Sequence, residues 1–129
     1  MFNERMWLIG GWNPNDKTHF PRTCSNDVWS SANGVEWIEE KNNTFATQDF
    51  DPEQDWAGRH TAGYAVLNQR MWIVGGDANQ GSYQNDVWNS ADGKTWNKVN
   101  SNVAWGPRAL HYTVAFDGAL WVMGGQTIP

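Results

Sequence analysis

Three histidines (His19, His60, His111), a single cysteine (Cys24) and scattered arginines and carboxylates are the chemically active groups in these 129 residues. His19 and Cys24 share one stretch, but no second ligand pair accompanies them, so the sequence makes a weak zinc site and no metal is expected. Asp49, Asp51, Glu53 and Asp55 alternate along a short run. Oxygen ligands so spaced suit Ca²⁺, yet the run lacks the glycine and the distal glutamate of an EF-hand loop and reads as solvated. Gly-x-Ser-x-Gly, a phosphate loop and His-Glu-x-x-His are all missing from the sequence. No catalytic residues and no cofactor are expected, and the reading leans away from an enzyme.

Composition narrows the partners. Nine Lys and Arg against 14 Asp and Glu give a net charge of −5, with no basic block, which argues against a nucleic-acid or anionic-membrane surface. Hydrophobic residues make up 40% and charged residues only 18%, a folded composition. No apolar run reaches the about 18 residues of a membrane span. The segment after Met1 has neither a basic start nor the long apolar run of a secretory signal. The lone Cys24 excludes an internal disulfide, and the compartment stays unknown.

Ten Trp and 13 Gly are the outliers, and they recur in register. Arg5-Met-Trp7-Leu-Ile-Gly10-Gly11 matches Arg70-Met-Trp72-Ile-Val-Gly75-Gly76 and Ala119-Leu-Trp121-Val-Met-Gly124-Gly125. Asn26-Asp-Val-Trp29 through Asn33-Gly34 to Trp37 matches Asn85-Asp-Val-Trp88 through Asp92-Gly93 to Trp96. Trp56-Ala-Gly-Arg59 matches Trp105-Gly-Pro-Arg108. The step from Gly10 to Gly75 is 65 residues and from Gly75 to Gly124 is 49, so core elements repeat while loops vary.

Each repeated element reads as a strand. Four- and five-residue apolar runs bounded by glycine fit strands buried on both faces. Asn33-Gly34 and Asp92-Gly93 read as two-residue hairpin turns, or as three-residue loops with a bulge. Asn68-Gln69 and Asp117-Gly118 read as similar short turns. No stretch carries a helical period. One full unit therefore has four strands: a (61–67), b (71–75), c (86–90) and d (95–99). The chain reads as one domain over residues 1–129, ordered b-c-d (5–40), a-b-c-d (59–100) and a-b (108–125). A sheet apolar on both faces must be covered on both, which radial repetition achieves. Trp7, Trp29, Trp37, Trp72, Trp88, Trp96 and Trp121 are expected in the core.

The run from Arg108 through Val114-Ala-Phe-Asp-Gly-Ala-Leu-Trp-Val-Met-Gly-Gly125, with the Asn-Asp-Val-Trp segments, resembles the kelch motif over nearly the whole chain. The resemblance implies a kelch-type β-propeller with blades of four antiparallel strands, here about two and a quarter blades against the roughly six or seven of a closed ring. Kelch repeats usually have a Tyr where Ser31 and Ser90 stand. Ser90-Ala-Asp92-Gly93-Lys-Thr-Trp96 is one residue short of an Asp-box. Galactose oxidase shares the propeller type, but its copper-ligand motifs are not matched by Tyr64, Tyr83, Tyr112, the histidines or Cys24.

Antiparallel order puts the long b–c and d–a connections on one face, where binding groups on a rigid scaffold gather. The candidate ligand-binding residues are Trp12, His19, Arg22, Trp56, Arg59, Asp77, Asn79, Tyr83, Trp105 and Arg108. Arg59 and Arg108 open inner strands and either brace loop carbonyls or bind an anion. Trp56 and Trp105 either pack between blades or form a stacking platform. Trp12 has no repeat counterpart, since Asp77 takes its place. The expectation is a non-catalytic binding module for a glycan or protein segment. The alternative is a carbohydrate-active enzyme resembling kelch-type sialic acid mutarotases. Two bare Trp-rich faces imply a further partner, either a second copy completing a ring or the remainder of a longer chain.

Overall fold

A computed structural model describes residues 1–128. The described residues form antiparallel β-structure, with no helix among them. The strands are β1 (Met6–Trp12), β2 (Cys24–Ser31), β3 (Ile38–Lys41), β4 (Gly63–Leu67), β5 (Arg70–Val74), β6 (Asp77–Ala78), β7 (Ser82–Tyr83), β8 (Val87–Ser90), β9 (Asn97–Asn100), β10 (Tyr112–Phe116) and β11 (Ala119–Met123). They assemble as a three-stranded sheet β1-β2-β3, a four-stranded sheet β4-β5-β8-β9, a hairpin β10-β11 and a small ribbon β6-β7.

The tight turns follow from backbone chemistry. Asn68 and Gln69 both have positive φ, as do Asp117 and Gly118, so each pair closes a two-residue hairpin whose twist matches its strands. Asn3 and Glu4 make a third such turn, bridging Phe2 to Arg5. Each turn lets an indole N–H reach back five residues: Trp7 to the Phe2 carbonyl, Trp72 to Leu67 and Trp121 to Phe116.

The Asn33-Gly34 and Asp92-Gly93 segments differ from expectation. Ser30 pairs with Ile38 and Asn89 with Asn97, leaving wider loops than a two- or three-residue turn. Side chains hold these loops open. The Ser90 hydroxyl accepts from the Gly93 and Asp92 amides, and the Asp92 carboxylate accepts from Lys94 and Thr95. Ser31 and Asn33 repeat the pattern in the first sheet. Local side-chain acceptors thus outcompete the ladder for these amides.

The core lies between the first two sheets and gathers Phe2, Val28, Trp56, Met71, Ile73, Trp88 and Trp96, with Trp7 and Ile9 against it. Burying one Trp removes about 150–250 Å² from water, of order 4–6 kcal/mol in transfer free energy. Trp37 and Trp121, expected in the core, are instead exposed. They stand on faces that no other sheet of this chain covers. Trp7, Trp29 and Trp72 are half-buried.

Candidate functional site

The connections on the long-loop face meet at a junction between the first and second sheets. There β1 runs on past a bulge at Gly10 so that Trp12 pairs with Cys24. Across the junction the Gly11 amide donates to the Arg59 carbonyl, 2.9 Å away. The next residue, His60, makes a two-way backbone bridge with Asp77. These bonds set Trp12 against His60, with ring centroids 5.5 Å apart and planes 29° from parallel.

The stack forms one wall of an open pocket of about 410 Å³ lined by Trp12, His60, Asp77, Gln80, Gly81 and Tyr83. That volume lies in the usual range for small-molecule sites. Trp12 is 43% exposed and presents an indole face to solvent. The Asp77 carboxylate accepts from the Gly81 and Ser82 amides, which fixes it at the base of the β6-β7 ribbon. His60 Nε2 lies 3.6 Å from Asp77 Oδ2 and has no hydrogen-bond partner among the described residues. That nitrogen is buried, so His60 contributes to the pocket wall through its ring behind Trp12 and not through a free hydrogen-bonding atom. Beneath the pocket, the Cys24 thiol is buried and its pKa is pushed up by that burial, which keeps it protonated and unreactive.

Three of the residues singled out from sequence, Trp12, Asp77 and Tyr83, therefore come together. Asn79 sits in the adjoining turn with positive φ, its Oδ1 buried and unpartnered. The others serve elsewhere. Arg59 is fully buried and Trp56 likewise, so neither can touch a ligand. Arg59 donates to both oxygens of Asp86 (2.6 and 3.0 Å) and to the carbonyls of Gly75 and Ala57 (2.9 Å each), the bracing alternative. Trp56 packs edge-on against Trp96 at 5.7 Å.

Arg108 repeats part of the brace, donating to the Gly124 and Trp105 carbonyls. Its guanidinium lies 5.4 Å from the centroid of the half-buried Trp105 ring, which in turn tilts against His111. Arg22 stacks on Phe45 and Phe50 and donates to the Phe45 carbonyl, tying down the loop after β3. His19 pairs locally with Asp16 at 2.6 Å on the surface. Neither lines the pocket. Sequence reading missed His60, Gln80 and Gly81. His60 directly follows the repeated Trp-x-x-Arg segment, and that position was the available signal.

A larger cleft of about 500 Å³ runs along the unpaired edge of β1, between Trp7, Ile9, Tyr64 and Val66. Its lining is mostly apolar, and the Tyr64 hydroxyl is turned to the Ile9 carbonyl. It lacks converging polar groups. Among the described residues, no three of His, Cys, Asp and Glu are grouped so as to hold a metal ion. No protein-family model matches this sequence, and none of the curated proteins matches it.

Proposed function

We propose that this chain is part of a kelch-type β-propeller and serves as a non-catalytic binding module, taking a sugar ring on Trp12 at the long-loop face. In support, the sheet β4-β5-β8-β9 has the four antiparallel strands that the kelch reading assigns to one blade, and the sheets on either side repeat its strand order in part. The observation that carries the ligand reading is the Trp12–His60 stack beside the fixed Asp77 carboxylate. A flat apolar ring takes the C–H face of a pyranose, while a carboxylate takes its hydroxyls. Against the mutarotase-like alternative, Arg59 is wholly engaged by Asp86 and two carbonyls, and Arg108 is held by the Gly124 and Trp105 carbonyls.

A glycan array followed by titration calorimetry tests this reading. A bound glycan whose affinity falls tenfold or more in Trp12→Ala, about 1.4 kcal/mol or greater, is the expected result. An array without hits, or a hit indifferent to Trp12→Ala, refutes it. A hit from a peptide display selection that depends on Trp12 would replace the sugar with a protein segment.

A further inference from the structure

The repeat lets one buried interface be compared with two open faces. Met71, Ile73, Trp88 and Trp96 form the face of the second sheet that meets the first. Their repeat counterparts in the first sheet are Met6, Leu8, Trp29 and Trp37. Leu8 lies directly opposite Trp29 in the ladder, so the two share a face, and Met6, two residues before Leu8, shares it as well. Ile73 is 0% exposed where Leu8 is 49%, Trp96 is 5% where Trp37 is 41%, and Met71 is 3% where Met6 is 37%. The chemistry is the same at each position, and only the covering sheet differs.

The other end of the chain shows the reverse side of that interface. Trp7 and Ile9 are the residues with which the first sheet covers the second. Their counterparts in the last hairpin, Trp121 and Met123, are both exposed, as is Val114 opposite Trp121. The opposite face of this hairpin is in use: Thr113 sits where a side chain at Gly63 of β4 would stand. One chain thus has an unused knob surface at one end and its unused socket at the other.

We infer that the hairpin β10-β11 of one copy packs, head to tail, on the outer face of β1-β2-β3 of a second copy. The seen interface specifies the contact. Trp7 lies over Gly93 beside Met71, so Trp121 of one copy lies over Gly34 beside Met6 of the other. Among the described residues, only the Met6 side chain lies within 4 Å of a Cβ placed on Gly34. Heterologous contacts close a ring when the rotation allows. Each copy has two sheets and a hairpin stacked in series, so two copies make six layers. A ring of blades has typically about four to eight, a range in which whole copies fit only as a dimer. The count of two rests on the propeller reading, whereas the head-to-tail contact rests on the faces alone. Neither depends on the sugar pocket, so solution mass and glycan binding can fail separately.

Light scattering and sedimentation equilibrium on the whole chain decide it. The expected particle is twice 14.6 kDa. Leu8→Glu and Trp121→Glu change residues exposed in the single chain, and each is expected to weaken association at least about 100-fold with an unchanged far-UV spectrum, because each puts an unpaired charge in an apolar contact. The two variants mixed together are expected to form a heterodimer through their one undamaged junction. A wild-type chain that stays at 14.6 kDa at its highest soluble concentration overturns the inference, and that measurement depends on no variant's folding. So do a Trp121→Glu chain that still dimerises, open-ended polymers, and variants that never recombine.

Discussion

Arg59 offers the sharpest test of how the repeat holds itself together. Arg59→Met keeps the aliphatic stem and removes the guanidinium. Four bonds go with it: two to the Asp86 carboxylate and one each to the Gly75 and Ala57 carbonyls. Asp86 would retain Trp88 Nε1 at 2.8 Å but lose its counter-charge. Removing one partner of a buried pair costs ~3–5 kcal/mol, a large share of the ~5–15 kcal/mol that keeps a typical domain folded. Arg108→Met is the internal control. Arg108 meets only carbonyls, has no carboxylate and is half-exposed, so about 1 kcal/mol is expected. Urea unfolding followed by Trp fluorescence measures both. The double variant Arg59→Met with Asp86→Leu is expected to recover part of the loss, since it removes the stranded charge. Acid sharpens the test. Burial alone would raise the Asp86 pKa, but the hydrogen bonds and charge of Arg59, with the Trp88 N–H, outweigh burial and hold it below the ordinary 3.8. A depressed folded pKa contributes stability above the ordinary value and loses it as pH falls through the folded one. In Arg59→Met burial acts without the guanidinium, so the gap between wild type and variant must begin to narrow as pH falls through the raised Asp86 pKa of the variant and go on narrowing until pH passes the depressed one of wild type. Equal costs for the two arginine variants, or a cost under about 1 kcal/mol for Arg59→Met, would refute the bracing account.

Two further outcomes follow from buried polar groups. His111 Nε2 donates to the Val74 carbonyl at 2.9 Å, leaving Nδ1 bare, buried and unpartnered. Burial lowers its pKa from 6.5, the Val74 bond opposes this, and the Arg108 charge adds to the lowering. A histidine held neutral stabilises the fold above pH 6.5, and that stability drains away as pH falls through the depressed value. The urea midpoint is therefore expected to drop in acid more steeply for wild type than for His111→Gln, and equal slopes would contradict it. Ser90→Ala strips the acceptor from the Gly93 and Asp92 amides in a buried loop and is expected to cost ~1–2 kcal/mol in thermal or urea unfolding. The exposed Thr95→Ala beside it should stay within about 0.5 kcal/mol of wild type.

Strands were legible because each apolar run recurs in register, and a recurring run bounded by glycine has few other ways to be buried. The short turns at Asn68-Gln69 and Asp117-Gly118 were legible for the same reason. Asn3-Glu4 was not, since Glu is a poor signal for positive φ and only the closed turn reveals it. Asn33-Gly34 and Asp92-Gly93 misled in the opposite direction. The dipeptide chemistry favours a two-residue turn, but Ser31 and Ser90, three residues before each glycine, offer hydroxyls that hold a wider loop. The two readings of Arg59 could not be separated in sequence because the deciding partner, Asp86, is 27 residues away. Trp37 and Trp96 show the limit most plainly. They hold the same repeat position, three residues after Gly34 and Gly93, and their exposure is decided by whether another sheet is stacked on them.

The pocket owes its character to departures from the repeat. Its frame is repeated: the Gly11 amide meets the Arg59 carbonyl at one junction, and the Gly76 amide meets the Arg108 carbonyl at the next. His60 bridges Asp77 at the first, and Ala109 bridges Gln126 at the second. The side chains on that frame are not repeated. Trp12, Asp77 and Gln126 occupy one repeat position, and His60 and Ala109 another. The second junction therefore has an equivalent backbone with no aromatic platform and no imidazole at these positions. The binding reading proposed above places a site at the first junction, where the shared backbone carries the load of folding and Trp12 and His60 depart from the repeat. Exchanging His60 for Ala would make the first junction resemble the second, and sugar binding should fall with little change in stability.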